Sequence, residues 1–67
     1  MKLSPRKLEI LTLLARGFTD KEIALKLNIS KRTVQTHISS ILIGLNARNR
    51  VNAVAKYMAS HPRWKVK

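Results

Sequence analysis

Residues 19–45 read TDKEIALKLNISKRTVQTHISSILIGL, two apolar-periodic segments joined at a short polar link. The first segment opens with Thr19 and Glu22, the spacing of a capping box, in which each side chain accepts a hydrogen bond from the other residue's backbone N–H. The link is long enough only for a tight bend, where Asn28 tolerates a left-handed backbone and Ser30 caps the next helix. The stretch predicts two helices, over residues 20–27 and 31–45.

The second of these helices is amphipathic in an unusual way. At 100° per residue, one narrow stripe collects its apolar residues Val34, Ile38, Ile41 and Leu45. The opposite face collects mostly short polar residues: Arg32, Gln35, Thr36, Ser39 and Ser40. Small polar side chains let a helix approach the floor of a DNA groove and pair with base edges. This pair of helices therefore has the geometry of a helix-turn-helix, in which Gln35 is the best candidate for a bidentate contact to adenine. Thr36 offers a hydroxyl group, or a methyl group for contact with thymine.

The start of the same helix carries two cations, Lys31 and Arg32. Cations near a helix N-terminus oppose the macrodipole, which favours acids there. A DNA phosphate would resolve the conflict, because the free N–H groups, the dipole and both side chains all favour an anion. For either residue alone, a solvated side chain is an equally good interpretation. The two together, beside the small polar face and in a segment without acids, favour a phosphate contact.

Two further helices flank this stretch. Ser4 and Pro5 are typical of a helix start and Gly17 of a helix end, which predicts a helix over residues 5–16. Asn49 can cap a helix over residues 50–60 that ends before Pro62, and residues 61–67 form a basic tail. The prediction is an all-α, single four-helix domain over residues 1–67. Trp64 in the tail either packs back onto the domain, stacks on a partner or stays mobile.

The charge is strongly positive and unevenly distributed. The 67 residues carry 14 Lys and Arg against three acids, a net charge of +11. Residues 1–22 hold five cations and all three acids, whereas residues 23–67 hold nine cations and no acid. Such a charge repels itself in a compact state, which favours a polyanionic partner, double-stranded DNA above all.

The composition excludes several other classes. Cysteine is absent and the two histidines, His37 and His61, are far apart, so we expect no metal site, no cofactor and no enzyme. No nucleophile–base pair is visible, and no small-molecule ligand is expected. No apolar run approaches the ~18 residues of a membrane span, and no signal peptide is recognisable, which predicts a cytoplasmic protein.

The fourth helix has more apolar surface than one core contact needs. Its candidate dimer residues are Val51, Val54, Ala55 and Met58. One module buries roughly 600–1,000 Å² on DNA, and two linked copies that read two half-sites gain avidity. We therefore expect a homodimer formed through this helix. Ordinary burial is the alternative for Val51 and Val54 taken singly.

Several segments in register carry a resemblance to a known family. They are LSPR (3–6), GFTDKEIA (17–24), LNIS (27–30), TVQTH (33–37) and RNR (48–50). The chain resembles the DNA-binding domain of the LuxR family of bacterial transcription regulators, also called the GerE or FixJ/NarL type, from about residue 3 to residue 58. Lys7 and Gly44 depart from the family, which usually has Glu and Lys there. Ser39 often aligns with a longer or basic residue.

The resemblance implies a four-helix fold whose third helix enters the major groove and whose fourth helix pairs two protomers. Carried over by position, the residues that face bases are Gln35, Thr36 and Ser39. The residues near phosphates are Lys21, Lys31, Arg32, Thr33 and His37, with Arg48 and Arg50 as additions. His37 also lies at the edge of the apolar stripe, so a satisfied boundary histidine is the alternative.

The predicted function is a sequence-specific, double-stranded DNA-binding transcription regulator. Lys7 and Gly44 leave open a protein-interaction module of the same fold that has lost specific DNA binding. A cationic membrane-surface binder is the third reading, but it requires Lys and Arg along one helix face with bulky apolar residues opposite. The outer face of the third helix carries Gln, Thr and Ser instead.

Overall fold

The computed structural model describes residues 3–66, and these form four helices and no strand. The helices are α1 (Pro5–Ala15), α2 (Asp20–Leu27), α3 (Lys31–Leu45) and α4 (Arg50–Ser60). The predicted all-α, four-helix fold class is confirmed. Of the predicted single domain over residues 1–67, the two N-terminal residues and Lys67 lie outside the described residues.

Side-chain caps begin all four helices. Ser4, Thr19, Ser30 and Asn49 each accept a hydrogen bond from the backbone N–H three residues ahead. Thr19 and Glu22 form the full capping box, with Thr19 N donating to Glu22 Oε1 at 2.8 Å and Glu22 N donating to Thr19 Oγ1 at 3.1 Å. Each cap satisfies an N–H group that the helix itself leaves unpaired.

Left-handed residues end the first three helices, at Gly17 (φ 92°), Asn28 (φ 56°) and Asn46 (φ 52°). At the end of α1, Gly17 N donates to Leu14 O and Phe18 N donates to Leu13 O, the two bonds of a Schellman motif. The first helix ends at Ala15, one residue before the predicted 5–16, because Arg16 is the cap that precedes this left-handed turn.

The core lies between α3 and the other three helices, because α3 packs against all of them. The largest fully buried side chains are Ile10, Leu11, Ile23, Val34 and Ile41. Of the predicted stripe on α3, Val34, Ile38 and Ile41 are buried and Leu45 is half-buried. This packing holds the opposite face of α3 towards solvent.

The segment after α4 packs back onto the domain. The indole Nε1 of Trp64 donates to Thr12 Oγ1 of α1 at 3.2 Å. Its ring meets Tyr57 of α4 edge-on, with centroids 4.9 Å apart, and His61 stacks on the same tyrosine at 4.0 Å. Of the three alternatives for Trp64, packing onto the domain is the one that occurs.

Candidate nucleic-acid interface

The outer face of α3 is exposed to solvent. Gln35, Thr36 and Ser39 are all exposed, as the amphipathic pattern predicts. The Thr36 hydroxyl donates to the backbone carbonyl of Arg32 at 3.0 Å, so its hydrogen is used within the helix. The methyl group and an acceptor lone pair are what Thr36 has left for a ligand. The face offers an amide at Gln35 and a methyl group and hydroxyl oxygen at Thr36, with a second hydroxyl at Ser39.

The N-terminus of α3 is suited to an anion. Ser30 Oγ accepts from Thr33 N at 3.0 Å and lies 2.8 Å from Thr33 Oγ1, so the Thr33 hydroxyl belongs to the cap. Lys31 and Arg32 are exposed and the first turn holds no acid. The free N–H groups, the positive end of the dipole and two cations therefore share one end of the helix.

The structure brings part of the predicted phosphate set together around one surface depression. Lys21, Lys31 and Arg50 line it with Gln35 and Asp20. Cations from α2, α3 and α4 thus line the same depression as the side-chain amide of Gln35, the strongest candidate for base reading. These three residues are 10 and 19 positions apart along the chain, and packing of the three helices makes them neighbours.

The other predicted phosphate residues lie elsewhere. Arg48 is exposed just before α4, and its backbone N–H donates to Asn52 Oδ1 at 3.0 Å. His37 is half-buried on α3 next to the buried Ile38, the position of a boundary histidine. The phosphate roles of Arg48 and His37 stay predictions.

An ion pair that the sequence does not predict joins α2 and α4. Arg50 Nη1 lies 2.6 Å from Asp20 Oδ1, and Arg50 Nη2 lies 3.4 Å from Asp20 Oδ2. The Asp20 side chain is 14% exposed and that of Arg50 47%. The Arg50 guanidinium holds the pKa of Asp20 below its usual value of 3.8, with smaller contributions in the same direction from Gln35 and Lys31.

This pair changes the interpretation of both residues. As a first-turn acid of α2, Asp20 is also stabilised by the helix dipole, and Arg50 is one of the residues that the family resemblance places near phosphates. In the structure they bind each other across 30 residues of chain. The sequence offered a partial signal. Glu9 has Arg6 three residues away and Glu22 belongs to the capping box, whereas Asp20 has no cation three or four residues away within its own helix.

We expect Asp20→Asn to reduce the free energy of unfolding by roughly 1 kcal/mol at pH 7, because it removes a bidentate ion pair. Asp20 stays charged to lower pH in the folded than in the unfolded state, so its stabilisation is present above pH 3.8 and is lost as the pH falls through the folded-state pKa. Urea unfolding at pH 7, 5 and 3 measures the difference in the free energy of unfolding between the natural protein and Asp20→Asn. This difference should become smaller at pH 3.

The matched control is Glu9→Gln, which removes the exposed Arg6–Glu9 pair, 3.2 Å apart on one helix. We expect a loss of about 0.3 kcal/mol or less at pH 7 from this variant. An equal loss from both carboxylate variants would contradict a special contribution of the Asp20–Arg50 pair.

The fourth helix has two apolar faces. Ala53 and Tyr57 are buried in the core, whereas Val51 is 77% exposed and Met58 is 48% exposed. With Leu14 and Ala15 of α1, the predicted dimer residues Val51, Val54, Ala55 and Met58 line one shallow apolar depression. The alternative of ordinary burial is wrong for Val51. The dimer role of this surface stays a prediction.

Neither of two other kinds of site, a metal-ligand cluster and a membrane-spanning helix, occurs in residues 3–66. No three His, Asp or Glu side chains in this part of the chain are grouped as metal ligands. None of its four helices is long and apolar enough to cross a membrane. The described residues therefore define a helix-turn-helix domain with a polar, cation-flanked third helix.

Comparisons with known proteins agree with this class. The profile of the family described as "Bacterial regulatory proteins, luxR family" matches residues 1–57. The nitrate/nitrite response regulator protein NarP of Escherichia coli (strain K12) is 45% identical over 56 residues, which are 84% of this chain and 26% of NarP. The response regulator protein VraR of Staphylococcus aureus (strain Mu3 / ATCC 700698) is 44% identical over 52 residues, 78% of this chain and 25% of VraR.

The chain belongs to the luxR family of bacterial regulatory proteins, and the resemblance in the sequence is confirmed. It spans about a quarter of the length of the curated relatives it matches. Membership makes the chain a DNA-binding domain of a family of transcription regulators, and not an enzyme. The matched region ends at residue 57, so the segment that carries His61 and Trp64 lies beyond it.

Proposed function

We propose that this domain binds double-stranded DNA sequence-specifically, with α3 in the major groove, and thereby regulates transcription of bacterial genes in the cytoplasm. The observation that carries the proposal is the outer face of α3, where Gln35, Thr36 and Ser39 are exposed beside the cations Lys31 and Arg32. An α-helix fits the major groove, and amide and hydroxyl groups match the donors and acceptors of base edges.

Cations and base-reading residues have separate roles in this proposal. Lys21, Lys31 and Arg32 bind phosphates and fix the orientation of the domain, while the polar face of α3 distinguishes bases. Thr33, His37, Arg48 and Arg50 complete the proposed phosphate set. The absence of any acid from residues 23–67 supports this, because no carboxylate in that segment repels the DNA backbone.

Dimerisation through α4 is the second part of the proposal. Val51, Ala55 and Met58 expose apolar groups next to the half-buried Val54, on the face of α4 that does not enter the core. Two copies joined there across a two-fold axis would present two recognition helices to two half-sites. The spacing of the half-sites then follows from the dimer geometry.

A binding selection from random duplexes tests both parts at once. We expect an enriched motif with two related half-sites at a fixed spacing. A single enriched half-site would contradict the dimer but support base reading. No enriched motif, with binding retained, would support the interaction module of the same fold. Preference for anionic liposomes over duplex DNA at matched salt would support the membrane-surface reading.

We expect Gln35→Ala to lose about 1–3 kcal/mol of binding free energy on the selected duplex and to relax the preference at one base pair. Gln35 is exposed and makes only a minor contribution to the interactions of Asp20, so the variant should remain folded. Titration of duplexes that carry all four base pairs at each position measures both effects. Equal weakening on every duplex would contradict base reading by Gln35.

The matched variant on the same helix is Lys31→Ala, four residues earlier and also exposed. It should weaken all duplexes to the same extent and reduce the salt slope of log K by about 1. A changed base preference with an unchanged slope would contradict a phosphate role for Lys31.

A further inference from the structure

Ile43 has the most exposed side chain among the large hydrophobic residues in the described part of the chain. It is 82% exposed, whereas Ile41, two residues earlier on the same helix, is 1% exposed. An isoleucine at such a position contributes nothing to the core, and its β-branch makes it a weaker helix former than Lys, Glu or Gln. Its place on α3 therefore needs a reason other than stability.

The helical spacing puts Ile43 on the face that carries the base-reading candidates. Ile43 is seven positions after Thr36, a rotation of two turns less about 20°, and four positions after Ser39. All three residues are exposed. The rise of an α-helix places Ile43 ~10 Å beyond Thr36 along the helix axis.

The neighbours of Ile43 indicate what would cover it. On the outer face of α3, the positions before it are Ser39, Ser40 and Thr36, so it is a single apolar group in polar surroundings. A protein-binding site would need an apolar cluster, such as the Val51 and Met58 surface of α4. The charge of residues 23–67, nine cations and no acid, favours a polyanion instead.

In the major groove, thymine is the base that presents an apolar group, its 5-methyl. We propose that Ile43 packs against the 5-methyl group of a thymine, about three base steps from the base that Thr36 faces, and so adds a T·A preference near one edge of each half-site. This inference rests on the proposed function, since it requires α3 to lie in the major groove. It adds a specificity-determining residue whose chemistry is apolar contact rather than hydrogen bonding.

The test replaces thymine by deoxyuridine, which lacks only the 5-methyl group, one position at a time in the selected duplex. We expect the natural protein to bind one such duplex about fourfold more weakly, the effect of burying roughly one methyl group. Ile43→Ala should bind the thymine and uracil duplexes equally at that position. Ile43→Val, which keeps branched methyl groups there, should retain most of the discrimination.

Leu25→Ala is the matched control, because Leu25 is another aliphatic residue, 74% exposed, on α2 and outside the proposed DNA-binding and dimer surfaces. It should discriminate between thymine and uracil as the natural protein does. The proposal would be overturned if Ile43→Ala left the discrimination between thymine and uracil unchanged at every position. It would also be overturned if Ile43→Ala bound thymine and uracil duplexes more weakly by the same factor, because that result indicates a contact to the DNA backbone.

The outcome for Ile43 is separable from that for the proposed function. If a motif is enriched and Gln35→Ala relaxes it, but Ile43→Ala changes no thymine position, the thymine contact alone is wrong. If the selection enriches no motif, base reading by α3 fails and the role of Ile43 fails with it. Thermal unfolding of Ile43→Ala, expected to match the natural protein, shows that any change arises at the interface.

Discussion

Ile41→Ala is expected to lower the free energy of unfolding by about 2–5 kcal/mol, the usual cost of truncating a fully buried isoleucine. The side chain of Ile41 is 1% exposed and belongs to the same core as Ile10, Leu11 and Ile23. A chain of 67 residues has roughly 3–10 kcal/mol of stability in all. The substitution therefore removes a large fraction of it and should unfold part of the population at 37 °C.

Urea unfolding followed by circular dichroism measures this loss. The control is Ile43→Ala, the same chemical change two residues along the same helix at an 82% exposed position, expected to cost less than about 0.5 kcal/mol. Equal losses from the two variants would contradict the orientation of α3, and with it the outward placement of the whole polar face.

The affinity for duplex DNA is expected to fall by about 10³ to 10⁵ between 50 and 200 mM salt. Arg50 is already paired with Asp20, so each protomer offers four other proposed Lys and Arg phosphate ligands and a dimer offers eight: Lys21, Lys31, Arg32 and Arg48 from each copy. Six to ten phosphate contacts release enough counterions for a loss of this size, since log K falls by ~0.9 per contact for each decade of salt.

Duplex titrations at four or more salt concentrations measure the slope. Arg63→Ala is the control, because it removes one exposed cation outside the proposed set, on the segment after α4. Its slope should equal that of the natural protein, whereas Arg32→Ala should lower the slope by about 1. A slope near zero would contradict phosphate neutralisation as the source of affinity.

The helix starts and stops could be predicted because their causes are local. Thr19 and Glu22 are three residues apart, and the left-handed turn at Asn28 requires only a residue type that tolerates it. The polar face of α3 was predictable for the same reason, since a period of 3.6 residues is a property of one helix. The prediction puts the end of α1 at residue 16, one residue too late, because Arg16 is the cap that follows the last helical residue, Ala15, and precedes the left-handed Gly17.

The tertiary contacts could not be predicted in this way. Asp20 and Arg50 are 30 residues apart, and Trp64 and Thr12 are 52 apart, so each contact depends on how two helices pack. The surroundings of Gln35 have the same origin, because Lys21 and Arg50 reach it from other helices. Residue types predicted the chemistry of the interface, and only the packed fold shows which cations stand beside the amide.

The indole of Trp64 has a practical consequence, since it is the only tryptophan in the chain. Its neighbours Thr12 and Tyr57 belong to α1 and α4, so its contacts exist only while these two helices are assembled. The fluorescence of this one fluorophore therefore reports on the integrity of the fold without a label. It follows the assembly of α1 and α4 rather than the conformation of α3.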